Sequence, residues 1–315
     1  MPTEDPQGPD SGDATPLSTR MSPGRAYQVV VVGSGYGGAI VAARLAERHL
    51  GVALFERGRE WAPDALPVTL ADAAAQVKRR DNPLGLFDLR QGDDLDVLSG
   101  SGLGGTSLIN GNVAVRAPAG VFDDPRWPAP LRGAAGHAAL GAYYDRAEAA
   151  LGAEQTPDAL ALSKVRARSG YAGQAGLELR IPKLTIHFGE PAAAPGAPGA
   201  TAAPVSSRKP CVMCGDCIVG CRVGAKNTLA QNYLRVAKRH HAEIVTQTEV
   251  RFVLPHPAGG WEIHARAHPL GGGPPTDHVV RAAAVVIAAG ALGSTAILLR
   301  SRVRGLRLGR RVGHH

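Results

Sequence analysis

A chain of 315 residues that is 44% hydrophobic has enough apolar material for one large domain or two smaller ones. Its formal charge of +8 comes from dispersed basic residues, with short clusters such as Lys78-Arg79-Arg80 and no interleaved aromatics, which argues against a nucleic-acid partner. Four cysteines confined to eleven residues are not a secreted disulfide framework, and the longest apolar run, Ala282 to Leu292, is too short to cross a bilayer, so the expectation is a soluble, cytoplasmic protein with no transmembrane segment.

Residues 1–26 are acidic, rich in Pro, Gly and Ser, and read as a disordered tail without an apolar leader. The informative stretch begins at Tyr27. Val29 to Val32 has the composition of a strand buried on both faces. It breaks at Gly33-Ser34-Gly35-Tyr36-Gly37-Gly38, which matches G-x-G-x-x-G at Gly33, Gly35 and Gly38. Ala39 to Arg48 is rich in helix formers, and Val52 to Phe55 reads as a second strand that ends at Glu56. Strand, glycine turn, helix, strand and terminal acid come in the order a dinucleotide site requires. Gly33 permits the tight turn, Gly35 lets backbone approach a pyrophosphate, and Gly38 lets helix and strand pack closely. The helix N-terminus offers unpaired N–H groups to phosphate. Glu56, 18 residues after Gly38, can accept from the ribose hydroxyls. The motif alone does not choose between NAD and FAD.

A short helix is expected around Leu70 to Arg80. A second glycine-rich stretch, Gly102 to Gly105, lies before the strand-like run to Val115, with no helix or acid after it to make a second fingerprint. It reads as a backbone wall against a cofactor, with Thr106, Ser107 and Asn110 as polar contacts. His137 to Leu151 is patterned as one amphipathic helix, Leu184 to Phe188 as a strand, and 190–205 as a low-complexity flexible loop. After a helix between Asn227 and His241, Ile244 to Val253 and Trp261 to Arg266 alternate like a hairpin. His278 to Ala289 is another buried strand, followed by the turn at Gly290 and a helix from Ala296 to Arg300. A small meander leading into an apolar strand and a glycine turn suits an FAD fold better than the regular βαβ units of an NAD domain.

Cys211, Cys214, Cys217 and Cys221 carry the C-x2-C-x2-C-x3-C spacing of a bacterial ferredoxin run, with Arg222 where proline would follow. In two-cluster ferredoxins the fourth cysteine of such a run serves the other cluster, so one cluster would need a different loop path or another ligand. Tetrahedral zinc could use all four thiolates. An iron–sulfur cluster, zinc and metal-free thiols therefore all stay open.

Three stretches together carry a family resemblance: GSGYGG with Glu56, SGLGGTSLINGNVAV, and VVIAAGALGSTAILLRS. The chain resembles the glucose-methanol-choline (GMC) flavoprotein oxidoreductases, most closely their cholesterol-oxidase-like branch, from Tyr27 to His315. Gly224-Ala225-Lys226-Asn227 after the cysteines also resembles that branch. The resemblance implies an α/β fold, with a Rossmann-like FAD-binding domain (parallel sheet plus β-meander) and a partial α+β substrate domain. The implied division is the tail over 1–26, FAD-binding parts over 27–121 and 227–315, substrate domain and loop over 122–205, and a cysteine-rich insert over 206–226. Tyr36 and Gly37 are implied at the pyrophosphate, and Glu56 at the ribose. Gly105 and Thr106 belong on the flavin side, Asn110, Gly111 and Val113 beside the ring system. Val250 is implied at the adenine, and Gly290 as a closure over the cofactor. Asn112 stands where similar sequences often have glycine.

The implied activity is oxidation of the CH–OH group of a sterol or other hydrophobic alcohol by hydride transfer to flavin N5, with oxygen or another acceptor taking the electrons. The family is longer, with a catalytic His and a His/Asn partner beyond the position at which this chain stops. On that comparison the chain is cut short at its C-terminus and no catalytic residue is assigned. A cofactor-binding fragment without turnover and an NAD-dependent dehydrogenase are the two alternatives.

Overall fold

The computed structural model describes residues 16–19, 21, 24–189 and 209–302. The loop expected over 190–205, the first fifteen residues of the expected tail and the two C-terminal histidines lie outside the described residues. Regular elements run in the order β1 (Ala26–Val32), α1 (Tyr36–Ala46), β2 (Val52–Phe55), α2 (Leu70–Ala75), β3 (Phe87–Arg90), β4 (Val97–Gly100) and β5 (Val113–Ala114). There follow α3 (Gly133–Ala139), α4 (Gly141–Leu151), α5 (Ser163–Gln174) and β6 (Lys183–Leu184). The last group is α6 (Tyr233–Arg239), β7 (Glu243–Val245), β8 (Thr248–Pro255), β9 (Trp261–Ala267), β10 (Thr276–Ile287) and α7 (Gly290–Ser301). Two compact units result. The larger holds the described residues of 13–110, 216–222 and 228–315; the smaller holds those of 111–215 and 223–227.

In the larger unit six strands form one sheet in the order β7-β2-β1-β10-β9-β8. β7, β2, β1 and β10 are parallel, and β8, β9 and β10 form an antiparallel meander. This is the α/β architecture expected from the sequence. All four residues of β2 are buried, as are Val29 to Val32 of β1, because parallel strands with covered faces have no solvent side. α1 buries Ala39, Ala42, Ala43 and Ala46, a helical stripe of small residues that permits close packing. β10 belongs to both halves of the sheet: it pairs with β9 over Thr276 to Ala282 and with β1 over Arg281 to Ile287. Beyond Ala282 its β9-side edge has no strand partner among the described residues.

Two cores form on this frame. One joins Val30, Phe55, Val253, Ile263 and Ile297; the other joins Trp61, Leu66, Leu86, Phe87, Leu108 and Ile109. The end of α7 is tied to the meander by Ser301, whose Oγ donates to Ile297 O (2.7 Å) and accepts from the Val253 N–H (2.9 Å). Both residues are buried, so Ser301→Ala leaves a buried donor without an acceptor. A loss of about 1–3 kcal/mol in urea unfolding is expected; an unchanged midpoint would mean that Val253 finds another acceptor.

The structure corrects several expectations. The strand expected from Ile244 to Val253 is two strands, broken at Gln247, which sits at φ +58 and donates its N–H to Gly58 O (2.8 Å). Its first part joins the parallel sheet and its second part enters the meander. Part of the expected tail is docked: Leu17 is buried, and the Leu17 and Ser18 N–H groups both donate to the Glu60 carboxylate (2.9 Å each). The helix at Leu70 ends at Ala75, short of Arg80, and is opened by a Thr69–Asp72 capping box. In the smaller unit the helix expected from His137 to Leu151 is divided into α3 and α4, and Tyr143 is exposed. Among the described residues no helix is long and apolar enough to cross a membrane.

Candidate cofactor site

The C-terminal ends of β1, β2 and β10 open onto one cleft of about 260 Å³. Gly33, Ser34 and Gly35 form its floor, Glu56 and Arg57 one side, and Ala288 to Gly293 the opposite side, where α7 begins. Arg90, Ser99 and Gly100 from the β3–β4 hairpin, Gly105 and Thr106, and Thr248 to Val250 complete the lining. Ligands of open α/β sheets bind beyond the carboxyl ends of the strands, where this cleft lies.

Glu56 is buried, yet its carboxylate is well partnered. Oε2 accepts from the Ser34 N–H (3.1 Å) and Ser34 Oγ–H (2.5 Å), and Oε1 accepts from the Gly58 N–H (2.9 Å). A carboxylate offers about four acceptor positions. Oε1 therefore retains room for one sugar hydroxyl, whereas a second would have to displace Ser34. Ser34 is itself fully buried and accepts from the Gly104 N–H (2.9 Å). One hydroxyl thus joins the first glycine turn, the acid and the second glycine stretch.

α1 starts at Tyr36 with Gly35 as N-cap and no side-chain cap, so its first-turn N–H groups are left to a ligand or to solvent. The Tyr36 hydroxyl accepts from Asn110 Nδ2 (2.9 Å), and burial raises the phenol's pKa, partly countered by that bond. A buried acid at the end of β2, an uncapped helix N-terminus and open space above Gly35 fit an adenine dinucleotide.

The expected cofactor residues are placed as follows. Gly33, Gly35, Glu56, Gly105, Thr106, Val250 and Gly290 line the cleft. Gly38 lies behind it in the helix–strand packing, and Tyr36, Gly37 and Asn110 belong to the same unit, on α1 and after the Gly105–Leu108 turn. Gly111 and Val113 belong to the smaller unit, where Val113 is exposed on β5 and paired with Leu184. The wall reading of the second glycine stretch is corrected at Gly102. A Cβ there would lie 2.5 Å from Trp61, and one on Gly58 would lie 2.3 Å from Gly102 N. Gly102 makes room for the Trp61 and Leu108 side chains inside the unit, and only Gly105 and Thr106 of that stretch reach the cleft.

The four cysteines are not assembled as a ligand set. Among the described residues no three His, Cys, Asp or Glu side chains gather as a metal site, and Cys211, Cys214, Cys217 and Cys221 are free of disulfides. Left-handed Met213 lies between Cys211 and Cys214, and left-handed Gly215 precedes a 3₁₀ turn, Asp216–Val219, that carries Cys217. Cys211 and Cys214 fall in the smaller unit and Cys217 and Cys221 in the larger.

Sequence reasoning missed Ser34, Arg57, Asp88 and Arg90. Asp88 accepts from both Arg57 and Arg90. A basic residue directly after the ribose acid was a usable signal for Arg57. Ser34 stood inside the glycine motif, whereas Asp88 and Arg90 depend on strand pairing, Asp88 with Ser99, that has no local signature.

The family profile described as GMC oxidoreductase matches residues 28–315. A cholesterol oxidase from Mycobacterium tuberculosis is 31% identical over 89% of this chain and 48% of its own length. One from Acinetobacter baumannii is 27% identical over 73% of this chain and 41% of its own length. A long-chain-alcohol oxidase from Arabidopsis thaliana is 24% identical over 91% of the chain and 35% of its own length. Among solved structures, pyridoxine 4-oxidase from Mesorbium loti matches the fold with a TM-score of 0.52 at 19% identity, over 87% of this chain and 52% of that one. The chain spans about half the length, or less, of the curated relatives it matches.

Proposed function

The chain belongs to the GMC oxidoreductase family, which binds FAD, and on that premise we propose that its larger unit holds FAD within an enzyme that oxidises a hydrophobic, sterol-class alcohol. FAD held there would supply the hydride acceptor, N5, and the route by which electrons reach oxygen or another acceptor. The protein's part in this chain is binding and orientation. The observation that carries the reading is the buried Glu56 carboxylate, held by Ser34 and Gly58 at the mouth shared with the α1 N-terminus.

In this reading Glu56 accepts from the adenosine ribose, and Gly33, Gly35, Tyr36 and Gly37 admit the pyrophosphate to the first turn of α1. Gly38 keeps that helix against β1. Val250 borders the adenine, Gly290 closes the far side, and Gly105, Thr106 and Asn110 serve the flavin. The sterol-class substrate is supported by the cholesterol oxidases at 31% and 27% identity and by a long-chain-alcohol oxidase. No residue of this chain is assigned to proton transfer. The half-length match favours a second reading as well, in which these residues hold the cofactor and turnover needs groups outside them.

The purified chain is expected to be yellow, with absorbance bands at about 380 and 450 nm. Anaerobic cholesterol should bleach the longer-wavelength band, whereas ethanol should not. A yellow chain that sterol does not bleach supports the second reading. A colourless chain that binds NAD overturns the flavin assignment.

A further inference from the structure

We propose that Asp88 is the positioning residue of an adenosine-recognition clamp whose jaws are Arg57 and Arg90. The proposal rests on the FAD reading above. Arg57 directly follows the ribose acid just past β2, and Arg90 ends β3; both line the cofactor cleft, and they meet on one buried carboxylate. Arg57 Nη2 donates to Asp88 Oδ2, and Arg90 donates to the same oxygen from Nη2 (3.3 Å) and Nε (3.4 Å). The hairpin that carries Asp88 is anchored independently. Phe87 sits in the second core, and the Gly100 N–H donates to Thr106 Oγ1 (3.2 Å).

The charges do not balance within the group. Burial opposes ionisation of Asp88, but Arg57 and Lys78 outweigh it and hold the carboxyl below its usual range. Lys78 in turn is depressed by burial and by Arg57. One carboxylate is therefore shared by two guanidiniums with an ammonium beside them. Glu249, the other acid on the lining, is engaged by Arg251 (3.2 Å). The two guanidinium planes that share this carboxylate line the cleft beside the ribose acid. Guanidinium planes suit an aromatic base as well as phosphate. Asp88 fixes their orientation, and no other acid is within bonding distance of Arg57 or Arg90 among the described residues.

FAD and ADP are titrated into the flavin-free 315-residue chain by calorimetry, with wild type, Asp88→Asn, Arg57→Lys and Arg90→Lys compared. Asp88→Asn keeps a cooperative melt and weakens ADP about tenfold, the scale of one lost charge-assisted contact. The lysine variants keep charge but lose the plane, and are expected to weaken ADP similarly. A lowered melting temperature with unchanged ADP affinity would mean that Asp88 only braces the hairpin, which overturns the proposal. Should Asp88→Asn not fold, unchanged ADP affinity in both lysine variants overturns it equally. A wild-type chain that binds neither FAD nor ADP removes the flavin reading itself, a different result from a binding wild type with indifferent variants.

Discussion

Gly38→Ala is expected to leave the larger unit without a cooperative unfolding transition. A Cβ at Gly38 would sit 1.9 Å from Gly33 O and 2.9 Å from Gly33 C, both backbone atoms. Gly33 cannot retreat. It is held at φ +98, and its own Cβ position is 2.5 Å from Ala288 O, on the neighbouring strand. α1 would have to lift off β1, exposing Ala39, Ala42 and Ala43 and pulling at the two central parallel strands. Overpacking a core with room to adjust costs about 1–3 kcal/mol. A clash between two backbones has no such adjustment and should exceed about 4 kcal/mol, a large part of a typical domain's whole stability. Calorimetry decides the matter: a melt within a few degrees of wild type would show that helix and strand are not in contact at this glycine.

Gly35→Ala, three residues earlier in the same motif, is expected to do the opposite: keep the fold and lose the cofactor. Gly35 has φ −64 and ψ −175, which alanine adopts without strain, and a Cβ there meets nothing within 4 Å. The ligand-free chain should melt at or slightly above the wild-type temperature, since Gly→Ala at a compatible position narrows the unfolded ensemble. The new methyl group, however, would occupy the cleft at the uncapped end of α1, where the pyrophosphate is proposed to lie. FAD affinity is expected to fall by more than about 100-fold, roughly 3 kcal/mol, measured by flavin fluorescence titration. A variant that binds FAD as tightly as wild type would move the phosphates away from this turn.

The contrast between these two glycines explains why the first thirty residues of the domain were legible in sequence. Between Ala26 and Glu56 each position has a job set by its immediate neighbours: β-branched burial, a turn, a small-residue helix face, a terminal acid. Strand, helix and acid stand where the pattern put them. Elsewhere the deciding partner is remote. Gln247 breaks a strand because its N–H reaches Gly58, and Gly102 is a glycine because Trp61 fills the space beside it. α5 was missed because its exposed sequence carries almost no apolar stripe; Ala172 is its only buried residue. Of the cofactor cleft, the glycine turn and the acid at the end of β2 were readable. The arginines and Asp88 that would frame the base were not, because they converge from strands 31 residues apart.

The step in β10 has a consequence for what surrounds the molecule. Ala283 to Ile287 presents hydrogen-bonding backbone along its β9 side, in a run of alanine, valine and isoleucine with neither lysine nor proline to guard it. Sheet edges in natural proteins are ordinarily blunted by charge, by proline or by a covering segment, because a bare one invites another strand. This edge lies within the sheet, between the β8–β9 turn and the cleft, and its valines and isoleucine are only partly buried. A polypeptide that extends the sheet here alongside β10 in the same direction would finish next to Ala288 and Gly290. A strand added along this edge would therefore complete the sheet and bring its own end to the cofactor cleft in one step.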